Sequence, residues 1–378
     1  MNILIAGDYF LPKNNRNREG SLEIPNVDKD ILDIINSADY SIVNFESSVV
    51  LGKNEYPIVK NGVHLASGRE SLEILKGIGF KMITLANNHV LDYGYPGLSN
   101  TLSISNKEGL EHVGAGHNFT EASSVRYIDI GGERAAFVNC CEHEFSISEN
   151  DNPGSCPLDP ILQYYQINQA KKESDYVIII VHGGHEYFQL PSQRMVLTYR
   201  YLIDAGADAV INHHQHCYSG YEVYKEKPIF YGLGNFFFYK ESEINRPWNE
   251  GYMVKLHLSK EQVDFEIFPY RQCNGNYGVE SLNDSNSFYI KIKQLNETIS
   301  SSEKLDKAIK IYYDSLRNFS LENLEPYNSK ICKKLHSWGI LPSFVKRKPA
   351  VLLNHIDCES HRDVLTYELK QMINNDKW

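Results

Sequence analysis

The chain has 378 residues, and 38 Lys+Arg against 48 Asp+Glu give a formal net charge of −10. Hydrophobic residues at 42% and charged residues at 23% are ordinary globular values, which excludes a disordered or fibrous polymer. The acidic balance argues against non-specific attachment to nucleic acid or to an anionic membrane surface, and the length leaves room for two or three domains.

The first residues, Met1 to Asp8, lack a basic leader and read as a first strand, Asn2 to Ala6, ending at Gly7-Asp8. Apolar residues at helical spacing follow over Asp28 to Ala38, then a strand over Tyr40 to Phe45 that ends at Glu46. Ser71 to Ile78 reads as helix and Met82 to Ala86 as strand, running into Asn87-Asn88-His89. Val125 to Ile130 and Ala135 to Asn139 form a strand pair around Gly131-Gly132. A helix is expected over Leu162 to Ser174. Tyr176 to Val181, a continuous β-branched run, suits a strand buried on both faces. Gln193 to Ala205 reads as helix, Ala209 to Asn212 as a short strand, and Tyr221 to Tyr224 with Pro228 to Tyr231 as a hairpin. Gly251 to Pro269 continues as strands. The polar stretch Asn274 to Asn286 is the expected domain boundary, dividing residues 1–275 from a mainly helical extension, 285–378. In that extension Phe288 to Phe319 and Asp363 to Ile373 have helical periodicity, and Lys304 to Lys348 is basic. Strands alternating with helices imply an α/β domain.

No apolar run approaches the roughly 20 residues that span a bilayer. With no leader read at the start, the expected location is the cytoplasm. The seven cysteines are odd in number, widely spaced and without a CxxC pair, which suits reduced thiols.

Asp8, Glu46, Asn88-His89, His182 and His213 to His216 all follow apolar strands. In open α/β sheets ligand sites gather at strand carboxyl ends. Each residue alone has a plain structural explanation: a turn cap for Asp8, a surface carboxylate for Glu46, a satisfied core imidazole for His182. Five strands each delivering a ligand-type side chain are harder to dismiss. Imidazole, carboxylate and amide donors suit divalent zinc, manganese or iron, and a pair of such ions is a hydrolytic centre. His214 and His216 would point to opposite faces of a regular strand, so their segment must turn to aim both inward.

Several runs resemble a known family. They are Gly7-Asp8, Val43 to Ser47 (VNFES), Leu85 to Gly94 (LANNHVLDYG), His182 to Tyr187 (HGGHEY), His213 to His216 (HHQH) and Lys227 to Phe236 (KPIFYGLGNF). Their order is similar to that of the CapA family of poly-γ-glutamate capsule synthesis, within the calcineurin-like metallophosphoesterase superfamily. The resemblance covers residues 1 to about 270. It implies a four-layer α/β/β/α sandwich with one or two divalent ions (Mn, Zn or Fe) at a sheet edge. By position, Asp8, Glu46, Asn88, His182, His214 and His216 are the implied metal ligands. His89 is the implied proton donor, Asp92 its orienting partner, and Glu186 a substrate contact. Tyr187, Asn235 and His185 are implied around the substrate.

Three departures stand out. Phe10 occupies the place of a first-motif histidine, Glu46 that of a shorter bridging aspartate, and Asn212 to His216 reads NHHQH where the family has GHHPH. One well-held ion and a weaker second are therefore expected. The family's usual N-terminal membrane anchor is not expected here.

The expected function is metal-dependent hydrolysis in bacterial capsule or surface-polymer metabolism, with a metal-activated hydroxide attacking a phosphoester or an acyl or amide centre. The alternative is a non-catalytic accessory subunit of a polymer-synthesis complex. An anionic, glycan or polyglutamate-type substrate and capsule-assembly proteins are the expected partners, without nucleic acid or a membrane span.

Overall fold

A computed structural model describes residues 1–13, 23–52, 55–60, 62–240, 243–282, 285–322, 324–327, 329–345, 348–357, 361, 364–366, 369 and 372–373. Two sheets lie face to face. The strands of three residues or more are β1 Asn2–Phe10, β2 Tyr40–Phe45, β3 Met82–Thr84, β4 Glu111–Val113, β5 Arg126–Ile130, β6 Glu133–Cys141 and β7 Tyr176–His182. They continue with β8 Ala209–His213, β9 Tyr221–Tyr224, β10 Lys227–Phe230, β11 Asn235–Phe238, β12 Glu250–Leu258, β13 Val263–Gln272 and β14 Gly278–Ser281. The first sheet runs Asn26–Val27, β14, β13, β12, β1, β2, β3, β4, with β11 also paired to β1. The second runs β9, β10, β8, β7, β6, β5.

The layering follows from alternation along β1. Ile3 and Ile5 enter the core between the sheets, with Ile42, Phe137, Ile178, Ile211 and Val254. Leu4 and Ala6 point the other way, into a core with residues of α1 Lys29–Asn36, α2 Glu70–Ile78 and α3 Gly94–Glu108. On the far side of the second sheet lie α4 Pro160–Glu173 and α5 Gln193–Asp204, which bury Ile167 and Ala170, and Met195, Tyr199 and Leu202. The expected four-layer α/β/β/α sandwich is the fold, with helices in the C-terminal part.

Three local differences from the sequence reading have physical causes. β1 does not stop at Ala6. It continues to Phe10 because Asp8, Tyr9 and Phe10 pair in parallel with Asn235, Phe237 and Phe238 of β11. Helix α3 has a mixed buried face, Gly97, Leu98, Thr101, Leu102, Ile104 and Ser105, in which small and hydroxyl residues stand among the apolar ones. Its hydroxyls satisfy the backbone, Thr101 donating to the Gly97 carbonyl at 2.8 Å and Ser105 to that of Thr101 at 2.7 Å. The periodic stretch from Phe288 is two helices, α6 Ser285–Ile299 and α7 Ser302–Glu322.

Compact grouping divides the chain into Met1–Asp306 and Lys307–Trp378. In the first unit α6 buries Phe288 and Ile292 in the intersheet core. β14, within the polar stretch, extends the first sheet by pairing with β13. The second unit holds α8 Lys330–Ser337 and α9 Pro349–Asp357. There Glu325 accepts from the Phe344 N–H at 2.8 Å and from the Ser343 hydroxyl. The helix expected at Asp363 to Ile373 and the thiol of Cys358 fall largely outside the described residues. The other six cysteines are free thiols. Among the described residues no helix is long and apolar enough to cross a membrane.

Candidate metal centre

Strand register assembles the site. Across the first sheet Asp8 stands opposite Asn235 on one side and Asn44 on the other, and Asn44 stands opposite Thr84. Across the second, His182 stands opposite Cys141 and His213. The first sheet therefore supplies carboxylates and amides, and the second supplies imidazoles. Glu46 lies one residue beyond β2, and Asn88 and His89 lie in the loop after β3. His214 and His216 lie just beyond β8. Both have positive φ, +92° and +54°, so the segment does turn as the spacing required.

Two overlapping triads result: Glu46, His182 and His214, and Asp8, Glu46 and His216. Within each triad one donor atom from every residue lies within 4.8 Å of the others. Glu46 belongs to both. Its Oε1 is 3.6 Å from His182 Nε2, 3.6 Å from His216 Nε2 and 4.0 Å from His89 Nε2. It is 0% exposed, and neither carboxylate oxygen has a hydrogen-bond partner. A buried carboxylate without a partner is costly unless a cation sits beside it.

The surrounding electrostatics are consistent with that. Burial pushes Glu46 well above the usual carboxylate range, and the charges of Asp8, Glu186, Glu144 and Asp92 push the same way. Burial also works to raise Asp8, but His213 beside it, His216 and the Asn44 amide outweigh burial and hold it below its usual range. Burial and the neighbouring imidazoles keep His182 well below its ordinary value. Burial lowers His216 too, so both rings are in the neutral form that a metal requires. Neutral imidazoles around an unpartnered carboxylate are a donor set that fits a divalent cation.

The remaining predicted residues fall into place around this cluster. The Asn88 amide oxygen is 3.1 Å from His182 Nε2, and His182 Nε2 is 3.0 Å from His214 Nδ1. Asp92 Oδ2 is 2.7 Å from His89 Nδ1, which leaves His89 Nε2 facing Glu46. Asn235 Oδ1 is 2.9 Å from His216 Nδ1, so it touches a candidate ligand and not only the pocket wall. Tyr187 stacks on Trp248, which packs against His216. Glu186 is exposed at the mouth and acts on Glu46 and His216 through its charge. His185 is half-buried, outside the two triads, where Glu142, Arg194 and His214 act on it. Phe10 joins an apolar cluster with Leu65, Phe238 and Trp248.

Sequence reasoning missed four contributors. Asn44 donates to Asp8 Oδ1 at 2.7 Å and lies 3.3 Å from His182 Nδ1. Glu144 accepts from the Asn88 amide at 3.1 Å and lies 3.7 Å from His214 Nε2. It sits just past the end of β6, so the strand-end rule that found Glu46 would have found it. Lys60, 2% exposed at its side chain, pairs with Asp92 and reaches to 3.2 Å from His89 Nδ1. Lys60 lies in a loop and Trp248 in the short 3-10 turn Pro247–Asn249, and neither carried a signal.

Residues 2–240 match the family model described as bacterial capsule synthesis protein PGA_cap. The chain belongs to the PGA_cap family. It is similar to the PGA biosynthesis protein CapA of Bacillus subtilis, 35% identical over 241 residues that cover 62% of each chain. It is also similar to the capsule biosynthesis protein CapA of Bacillus anthracis, 31% identical over 245 residues, 63% of this chain and 60% of the relative. The match thus spans about three fifths of the length of these PGA_cap relatives. A crystal structure of a novel phosphatase from Mycoplasma pneumoniae is similar at TM-score 0.45 and 13% identity, covering 76% of this chain and 96% of that one. That likeness is too distant to bear on chemistry.

Proposed function

We propose that this PGA_cap member is a metal-dependent hydrolase acting on an anionic surface polymer or its precursor, at a phosphoester or an acyl or amide bond. The observation that carries the reading is Glu46, buried, without a hydrogen-bond partner and common to two donor triads. Asp8, Glu46, Asn88, His182, His214 and His216 would hold one or two divalent ions. When bound, the ions supply Lewis acidity and a water of lowered pKa.

The other steps belong to the chain's own groups. Asp92 accepts from His89 Nδ1 and fixes the ring so that Nε2 is aimed into the centre. His89 Nε2 is then placed to give a proton to the leaving group. Lys60 balances the Asp92 charge, which is otherwise buried. Asn44 holds Asp8, and Asn235 fixes the His216 ring. Tyr187 and Trp248 close one side against water.

The test is elemental analysis of bound metal per chain, on protein purified without chelator beside the Asp8→Ala/His214→Ala variant. One to two equivalents of transition metal, lost in the variant, is the expected outcome. A wild type that takes up none after reconstitution with zinc, manganese and iron refutes the reading and leaves the accessory-subunit alternative.

A further inference from the structure

Beyond the donor cluster, the wall beside His216 continues outward as a stack of rings. The Trp248 ring lies 4.9 Å from that of His216, and Tyr187 stacks on Trp248 at 5.6 Å with 20° between the planes. Trp248 is buried, whereas Tyr187 is 53% exposed. Tyr187 reaches this place through a left-handed backbone, φ +61°, secured by its N–H donating to the Gln215 carbonyl at 2.8 Å. A side chain with a Cβ adopts that conformation at a cost of about 1–2 kcal/mol, and such strain collects where a ligand is handled.

Lys240, two residues past β11, sits over both rings, 4.9 Å from the Trp248 centre and 5.2 Å from that of Tyr187. Its ammonium donates to the Tyr187 hydroxyl at 3.3 Å and lies 3.4 Å from Glu243. The ammonium is within about 10 Å of the His216 ring, because both lie 4.9 Å from the Trp248 ring. Roughly three extended residues span such a distance. Lys240 also lines a cavity of about 330 Å³ with Tyr239, Tyr277, Ile244, Asn276 and the carboxylate of Glu23. One lysine therefore borders both the wall of the metal centre and a hollow of aromatic faces with an amide and one carboxylate. Glu144 and Glu186 put negative charge at the donor cluster, Glu186 beside Tyr187 as well, and Lys240 supplies a cation beyond them at which an anionic chain leaving the centre can be held.

We propose that Lys240, with the Tyr187–Trp248 stack and the adjoining cavity, is a second subsite that takes a carboxylate or phosphate on the unit next to the one being cleaved. The carbon skeleton of that unit would lie along the Tyr187 face. The word "cleaved" rests on the hydrolase reading above; the binding does not, since no donor of the two triads takes part in it.

The experiment is titration calorimetry on chelator-treated protein with three probes: tri-γ-glutamate, its neutral tri-amide counterpart, and tripolyphosphate. Wild type binds at least one of the anionic probes. Lys240→Met weakens that binding about tenfold or more, the scale of a lost charge-assisted contact, while Lys240→Arg stays within about threefold. Neither change alters the response to the neutral amide. Preference between the two anionic probes tells carboxylate from phosphate. If wild type takes up no metal but K240M still weakens oligomer binding, the hydrolase reading fails and the subsite stands. Equal binding by wild type and K240M of whichever anionic probe wild type takes, binding of the neutral amide by wild type as tight as that of the anionic probe, or no binding of either anionic probe by wild type overturns the subsite. Circular dichroism of K240M, matching wild type, excludes unfolding as the cause.

Discussion

Glu46→Gln should have opposite effects on the metal-free and metal-loaded protein. In the metal-free protein Glu46 is fully buried, its oxygens accept no hydrogen bond, and other carboxylates surround it. A glutamine of the same shape removes that charge, and relief of one unsatisfied buried acceptor is worth about 1–3 kcal/mol. At roughly 2–4 °C per kcal/mol, the variant should melt about 2–12 °C above wild type after chelator treatment. With metal the order reverses. At a thousandfold excess over Kd, binding stabilises wild type by about 4 kcal/mol. A neutral amide oxygen cannot serve both triads, so the variant should lose more than half of that rise. The pH sense follows from the raised pKa of Glu46. The native state binds this proton more tightly than the unfolded chain, so the contribution favours folding at low pH and is lost as pH climbs through the folded value. Metal-free wild type should therefore fall progressively behind Glu46→Gln as pH rises from about 4.5. The assay is a thermal melt with chelator and with added manganese or zinc, across pH. A metal-free variant several degrees less stable than wild type, or one that keeps the full metal-dependent rise, would refute the reasoning.

Other substitutions test other parts of the site. His89→Asn should keep its metal but lose about 10²–10⁴ in kcat, with a larger loss for a poor leaving group such as methoxide than for p-nitrophenolate; an equal loss for both would show that His89 does not protonate the leaving group. Lys60→Met strands a buried carboxylate and should cost about 3 kcal/mol by chemical denaturation, with Lys60→Met/Asp92→Asn recovering at least half; a loss under about 1 kcal/mol contradicts the pairing. A Cβ on Gly7 would lie 1.9 Å from the Gly234 carbonyl oxygen, backbone that cannot swing aside. Gly7→Ala should therefore destabilise by about 3 kcal/mol or more, and a soluble variant with wild-type melting would count against the close approach of β1 to that turn.

Much of the centre was legible because its residues obey a topological rule. Asp8, Glu46, Asn88, His182 and the His213 to His216 segment each end an apolar run, and parallel pairing brings those ends to one edge. The carboxylate–imidazole spacing could not be read, since Glu46 meets His182 only across the gap between two sheets, 136 positions apart in the chain. Asn44 was hidden inside an apolar strand. Lys60 acts through a loop whose fold depends on the Leu65 N–H donating to Asp92 at 2.6 Å. Helix α3 escaped notice because small and hydroxyl residues interrupt its apolar face, and the burial of Thr101 becomes favourable only once it also accepts from the Val49 N–H at 2.9 Å.

The first strand sits in the interior of its sheet, and its neighbours come from distant parts of the chain. Ile3, Leu4 and Ile5 pair with Leu256, Lys255 and Val254, and the Met1 amino group donates to the Leu258 carbonyl at 3.0 Å. The family match ends at residue 240. A polypeptide cut there would keep every candidate metal donor and the pairing of Asp8 to Phe10 with β11, yet leave the Asn2 to Ile5 part of that edge of β1 open, its N–H and C=O groups unpaired and available to other chains. On the ribosome β1 must wait until residue 258 has emerged before that edge closes, a very long loop to close and a slow step. The stretch that carries the kinship is thus shorter than the stretch that can fold.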